Sequence, residues 1–295
     1  MPPLGIEPLR SPDAHAYWSV FVAGRTNLPT RSVAAHVDRY LTLPTEEQRT
    51  HFAVREGDAI VGAMRLLPGT ITGFSMDPAH RRDGSAAIIK AIDLLRTQGN
   101  GAITASFEDA YQRDFESLGF RRVFSRMRME GATRRLPGPG PTLKPPEEGE
   151  VPKLATFFRD VYEGHMEQAY GLHVGSVEYW REFVTGILRG GTGRFMPEAS
   201  FVALEGERLT GAILVAYWME GPLVAELGVV PDRRRQGVAR ALLSAASTRL
   251  VALEEPRWAL YVTEGNEPAI RLYRAFGFEQ VGGQTVTARL DAATE

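Results

Sequence analysis

The sequence contains no cysteine. That excludes disulfides, thiolate zinc sites and a cysteine nucleophile, and with the last any thioester intermediate carried on the protein. Lysine is scarce: Lys90, Lys144 and Lys153 are the only three, so positive charge is nearly all arginine, a compositional bias and not a site. Neither sign of charge dominates. The formal net charge is −2, which leaves no basic field to draw nucleic acid. Long apolar runs are missing as well; the stretch 211–218 falls far short of the ~20 residues that a membrane helix needs. Prolines and Glu7 stand near the N-terminus where a secretory leader would be apolar, so a soluble, cytoplasmic protein without membrane or nucleic-acid partner is expected. What is present is a chain of 295 residues, 43% hydrophobic. That is enough for a packed core, in one large domain or in two of about 145 residues each.

Proline and glycine cluster at the midpoint. Pro137-Gly138-Pro139-Gly140-Pro141, followed by Pro145-Pro146-Glu147-Glu148-Gly149, can continue neither a helix nor a central strand, and reads as a linker. The halves on either side repeat each other. Ser75-Met76-Asp77-Pro78-Ala79-His80-Arg81-Arg82-Asp83-Gly84-Ser85-Ala86 parallels Gly228-Val229-Val230-Pro231-Asp232-Arg233-Arg234-Arg235-Gln236-Gly237-Val238-Ala239, and both contain R-x-x-G-x-A. Further on, Phe115-Glu116-Ser117-Leu118-Gly119-Phe120 parallels Tyr273-Arg274-Ala275-Phe276-Gly277-Phe278 at nearly the same interval. Two shared blocks in the same order argue for a duplicated domain, with boundaries expected at 1–136 and 142–295.

Hydrophobic periodicity gives each copy the same plan. In the first, Ser11-Pro12-Asp13 reads as an N-cap with proline at the first helical position. Helices are expected near 12–24 and 30–41, strands near 51–55, 59–66 and 70–76, a helix over 84–97, a strand near 102–107 and a helix near 110–118. In the second, helices are expected near 150–162 and 176–189, strands near 200–204, 209–217 and 223–230, a helix over 237–252, a strand over 258–262 and a helix over 267–275. The expected class is α/β (α+β): two tandem domains, each a mixed, mostly antiparallel sheet flanked by helices.

The chemistry concentrates where the strand near 223–230 turns into the helix opening at Gly237. A helix start leaves backbone N–H groups unpaired and carries a partial positive charge. Gly237 permits close approach, Ala239 keeps the next turn open, and Arg233, Arg234, Arg235 and Arg240 add charge, so the turn suits a pyrophosphate. A solvated basic helix start is the plainer reading of the same residues. The GK[ST] of a P-loop is absent, and no G-x-G-x-x-G follows any expected strand.

With its surroundings this turn resembles the GNAT superfamily of N-acetyltransferases. The family's first signature, a strand ending in Val-Pro and then Q/R-x-x-G-x-G/A, reads here Val229-Val230-Pro231 through Gly237-Val238-Ala239. Its second, Asn followed by a helix carrying Tyr and then Gly-Phe, reads Asn266 through Tyr273 to Gly277-Phe278. The resemblance covers about 143–295 well and 4–131 more faintly. It implies acetyl-CoA as co-substrate and no metal. Arg234, Arg235, Gln236, Gly237, Val238, Ala239 and Arg240 would lie at the pyrophosphate. Val229 and Val230 would pair with pantetheine, with the Val229 N–H facing the developing oxyanion, and Asn266 would be a further cofactor contact. Tyr273 would be the general acid for the departing thiolate. A helix cap for Asn266 and a core aromatic for Tyr273 are the alternatives. Glu226, alone in an apolar strand, is the candidate general base; a structural ion pair or an exposed face would also explain it. His165 and His173 are further candidates for that proton, or surface residues.

In the first copy Glu226 corresponds to Gly73, Asn266 to Glu108, Tyr273 to Phe115 and Gln236 to Asp83. The framework glycines survive and the chemistry does not, so the first domain is expected to be degenerate, although Gly84 could still receive coenzyme A. On the acceptor side, residues 157–195 interleave acids such as Glu163, Glu167 and Glu178 with aromatics such as Tyr162 and Trp180. That pattern suits a small cationic amine, or is a solvated charged face on a helix pair. The expected activity is acetyl transfer from acetyl-CoA to a primary amine of a small molecule or peptide, directly in a ternary complex, by a monomer or homodimer. Alternatives are a mycothiol-synthase-like enzyme, a longer-chain acyltransferase, or a non-catalytic acyl-CoA-binding sensor.

Overall fold

The computed structural model describes residues 3–99, 101–136, 142–219 and 221–292. Contacts divide the chain into two compact units, Met1–Arg128 with Val281–Glu295, and Met129–Gln280. The proline-glycine run 137–141 lies outside the described residues. These contact-based units differ from the expected boundaries 1–136 and 142–295 in assigning the C-terminal residues to the first unit. The strand Thr285–Leu290 pairs antiparallel with both Ile103–Glu108 and the 121–126 part of Arg121–Ala132, completing the first unit's sheet. Its inward residues Val286 and Ala288 are buried in that unit's core.

In the first unit Leu4–Pro8, His51–Glu56, Ala59–Leu67 and Thr70–Met76 form an antiparallel series. Ile103–Glu108 then joins parallel to Thr70–Met76, after the crossover helix Gly84–Thr97. Ser11-Pro12-Asp13 is a short 3-10 turn whose serine caps nothing; the Asp13 carboxylate is drawn instead to Arg10 and Arg55.

The second unit repeats the plan. Phe201–Glu205, Arg208–Trp218 and Gly221–Val229 run antiparallel, and Arg257–Thr263 lies parallel to Gly221–Val229 after the helix Val238–Ala252. The helix Val151–Tyr162 starts with Pro152 in its first turn and buries Leu154, Ala155, Phe157, Phe158, Val161 and Tyr162, one apolar stripe at helical spacing. Each such large side chain contributes about 1.5–3 kcal/mol on burial. The stripe seats on Gly228, where an added Cβ would lie 3.1 Å from Val161 and 3.2 Å from Phe158. That close approach carries the helix end, Tyr162, over the neighbouring same-face residue Glu226.

Candidate active site of the second unit

Two features of the strand Gly221–Val229 open it for chemistry. Its antiparallel register with Arg208–Trp218 shifts between Leu214↔Glu226 and Val215↔Val224, a bulge at Ala225 that re-aims Glu226. Its parallel partner is registered at Leu223↔Ala259, before the strand ends reach the site. The Val230 N–H donates to the Thr210 carbonyl at 3.1 Å. Alternate residues of an antiparallel strand turn their N–H groups to opposite sides, so the Val229 N–H faces away from that partner, toward the side of Arg257–Thr263.

The turn after Val230 is held in an unusual backbone. Arg235 has φ +62° and Gly237 φ +85°. Both are left-handed, and glycine is the residue that adopts this without strain. No side chain caps the helix Val238–Ala252, so the N–H groups of Val238, Ala239 and Arg240 have no partner within the helix. The arginines divide their tasks. Arg233 pairs with Glu205 and Asp232 on the surface. Arg234 donates to the carbonyls of Val229, at 3.1 Å, and Val161, at 2.8 Å, tying the loop to the helix end. Gln236 donates to the Asp232 carbonyl at 2.9 Å. Arg235 and Arg240 are exposed at the same turn. Val230 and Val238 have buried side chains, so only their backbone faces a ligand.

Around Glu226 lies a buried polar cluster. Glu226 is 7% exposed and accepts a 2.5 Å hydrogen bond from the Tyr162 hydroxyl on Oε1. Burial pushes its carboxyl above the usual range, against a downward pull from His173 and from the Tyr162 hydrogen bond. Tyr162 is stacked on His173, ring centroids 4.1 Å apart, and on Trp180 at 5.1 Å. His173 Nε2 is 3.2 Å from Glu167 Oε2, and the Thr263 hydroxyl donates to Glu167 Oε1. His165 Nδ1 accepts the Glu167 N–H at 3.3 Å, and burial lowers the His165 pKa, which favours the neutral ring. Asn266 caps the helix Glu267–Phe276 by accepting the Ala269 N–H at 3.4 Å, and its Nδ2 lies 3.5 Å from His165 Nε2. Tyr273, on that helix, is 8% exposed. Burial first, then the charges of Glu226 and Glu167, hold its phenol above the ordinary value, so it stays protonated.

The candidates Glu226, Tyr273, Val229 and Asn266 thus lie on adjoining elements of one unit. The cap reading of Asn266 holds beside any other role. Tyr162, Glu167 and Thr263 were not singled out by sequence. Of the acids in 157–195, Glu167 is buried, whereas Asp160, Glu163, Glu178 and Glu182 sit on the surface as a solvated face. Spacing alone gave no signal to separate Glu167 from them.

The aligned positions of the first unit are occupied internally. Met76, the counterpart of Val229, donates its N–H to the Tyr111 hydroxyl at 2.9 Å, and that hydroxyl donates to the Gly24 carbonyl. Gly84 has φ −54° and no left-handed turn precedes it. The Asp114 carboxylate lies at this helix start, accepting from Arg81 at 2.7 Å and from Ser85 at 3.0 Å. Gly73 stands in place of Glu226 with φ +62°, and Phe115 in place of Tyr273 is stacked on Phe107 in the core. Glu108 is 1% exposed and accepts the Thr26 N–H.

The "Acetyltransferase (GNAT) family" model matches residues 159–278. A mycothiol acetyltransferase of Brachybacterium faecium is 30% identical over 255 residues, covering 79% of this chain and 71% of that protein. The chain belongs to the GNAT acetyltransferase family. It is accordingly an acyltransferase. Two solved structures share its fold over 99% of the chain. One is a GCN5-related N-acetyltransferase from Sphaerobacter thermophilus, with TM-score 0.74, 18% identity and 97% of that chain covered. The other is a tandem GNAT protein from the clavulanic acid biosynthesis pathway, with TM-score 0.63, 18% identity and 99% of that chain covered. Among the described residues of this acetyltransferase, no helix is long and apolar enough to cross a membrane, and no group of histidine and acidic side chains could hold a metal ion.

Proposed function

We propose that the protein transfers the acetyl group of acetyl-CoA to a primary amine of a small molecule or peptide, directly in a ternary complex, at one site in the second unit. The observation that carries this is the pairing of a buried carboxylate, Glu226, with a buried protonated phenol, Tyr273, beside a strand end whose Val229 N–H faces the same side. The N–H groups of 237–240, with Arg235 and Arg240, would hold the pyrophosphate. Val229 and Val230 would present backbone to the pantetheine arm. Asn266 would support the cofactor from the helix start it caps. Glu226 takes a proton from the acceptor ammonium, which frees the amine lone pair to attack the thioester carbonyl. The Val229 N–H donates to the carbonyl oxygen as charge develops there. The attack forms the C–N bond. As the tetrahedral intermediate collapses the C–S bond breaks, Tyr273 gives its proton to the departing sulfur, and the second nitrogen proton passes to the phenolate so formed, which leaves a neutral amide and restores Tyr273. Glu226 and Glu167, both buried, favour a cationic acceptor.

The name of the Brachybacterium relative supports a narrower reading, in which the acceptor is the amine of mycothiol's unacetylated precursor. A panel of amines including that precursor, followed by release of coenzyme A thiol, tests both. Release with other amines but not with the precursor removes the narrower reading. Tight acetyl-CoA binding with no release from any amine replaces both with an acyl-CoA sensor.

The first unit, we propose further, is degenerate and binds no coenzyme A, because Tyr111 and Asp114 already fill the positions a cofactor would take. Calorimetry should find one acetyl-CoA per chain, and a stoichiometry of two overturns this.

A further inference from the structure

A buried general base faces a conflict. It must be ionised before the acceptor arrives, yet burial and a neighbouring carboxylate both oppose its charge. Glu226 meets both obstacles: it is 7% exposed, and Glu167 lies close enough to raise its pKa further. Something must offset them. Among the described residues, no arginine or lysine is one of the groups that act on it most strongly. Those groups are Tyr162 at the end of the helix Val151–Tyr162, Glu167 in the following 3-10 turn Met166–Tyr170, His173 just after that turn, and the Leu227 backbone, with Tyr273 facing it from the helix Glu267–Phe276.

We propose that Tyr162 is the positioning residue of the base: its hydroxyl, 2.5 Å from Glu226 Oε1, fixes the carboxylate's orientation and stabilises its ionised form. This rests on the reading of Glu226 as the base and adds a residue to it. The phenol ring is locked for the purpose. It is stacked on His173 at 4.1 Å and on Trp180 at 5.1 Å, with His165 edge-on at 5.1 Å. The helix that carries it is seated on Gly228, one strand repeat from Glu226. A hydroxyl held so rigidly donates at little entropic cost, and a hydrogen bond to a charged acceptor is stronger than one to a neutral acceptor. Burial and Glu226 itself keep the Tyr162 phenol far from ionising, so the proton stays on the tyrosine and is not lost to the base.

Tyr162→Phe keeps the ring stack and deletes only the donor. The acidic limb of the kcat/KM pH profile should move upward by about one pH unit, with activity below the limb falling about tenfold. The acetyl-CoA KM should stay unchanged. A merely structural role would lower activity or thermal stability without moving the limb. Glu226→Gln separates the two readings. If it abolishes the limb while Tyr162→Phe leaves the limb in place, the positioning role is wrong and the base stands. If Glu226→Gln keeps both the limb and full activity, the base reading falls and this proposal with it. A carboxyl-carbon NMR titration of Glu226 in wild type and Tyr162→Phe reads the same shift without catalysis. Equal midpoints there overturn the proposal even if the variant is too unstable for kinetics.

Discussion

The same R-x-x-G-x-A block produces opposite environments in the two units. At Gly237 the backbone turns left-handed and the helix N–H groups stay open; at Gly84 it runs straight into the helix and a carboxylate waits there. The differences lie outside the block. Asp114 and Tyr111, which fill the first unit, correspond to Leu272 and Ala269 in the second. Arg81, which pairs with Asp114, corresponds to Arg234, which binds two carbonyls instead. A motif therefore marks a fold able to take an anion. Whether an anion can enter, we propose, depends on residues one helix away, which supply an internal anion or withhold it.

The largest test of this contrast is catalytic. Glu226→Gln should lower kcat/KM by about 10²–10⁴, the usual contribution of a general base. Acetyl-CoA affinity by calorimetry should be nearly unchanged. Tyr273→Phe should cost less, about tenfold to a hundredfold in kcat, because a thiol with a pKa near 8.5 leaves fairly well without a proton. Glu108→Gln, a change at the buried carboxylate of the first unit that is aligned with Asn266, should leave the turnover of the folded enzyme unaltered. An equal loss from Glu108→Gln would break the assignment of chemistry to one unit.

The units should also respond to acid in opposite directions. His51, 2% exposed, has its pKa lowered to about 4 by burial first and by Arg65 second. An unfolded histidine titrates near 6.5, so the unfolded chain takes up a proton that the folded one refuses. The first unit's stability is thus complete above about pH 6.5 and falls toward pH 4, by at most about 3 kcal/mol. Glu226 works the other way. Its raised folded pKa means the folded form holds a proton the unfolded chain has released, so its cost appears as pH rises above the ordinary carboxylate range. Peptide-resolved hydrogen exchange between pH 7 and pH 4 should show protection falling in His51–Glu56 and not in Gly221–Val229. His51→Gln should flatten the first of these; an unchanged slope would remove His51 as its source.

Much of this was legible in the sequence, for local reasons. Hydrophobic periodicity marks most of the strands of both units, and Asn266 reads as the cap of the helix that it does cap. Glu226 stood out as one acid in an apolar strand. The remainder depends on contacts far apart in sequence. Leu4–Pro8 contains glycine and proline and takes its order from pairing with His51–Glu56. Thr285–Leu290 looks like the end of the second repeat, yet its partners belong to the first unit. Tyr162 reads as one more aromatic on a helix stripe until Gly228 lets the helix approach. Asp114 and Tyr111 resemble ordinary residues of a short helical stretch, and their effect appears only once Met76 and Ser85 are beside them.

The smallest test moves the internal anion from one unit to the other. Leu272→Asp places a carboxylate at the position aligned with Asp114, on the helix Glu267–Phe276. Arg234, aligned with Arg81, could then take the partner its counterpart has. Leu272 is partly exposed, so the new charge is screened in part and folding should survive. A like charge beside the pyrophosphate position should weaken acetyl-CoA about tenfold, or ~1.4 kcal/mol. Leu272→Asn, of the same shape without charge, should recover most of the affinity, and added salt should narrow the gap between the two variants. Equal affinities for Leu272→Asp and Leu272→Asn would mean that shape, not charge, closes the first unit. In that case the left-handed turn at Arg235 and Gly237 would be the feature that separates the two copies.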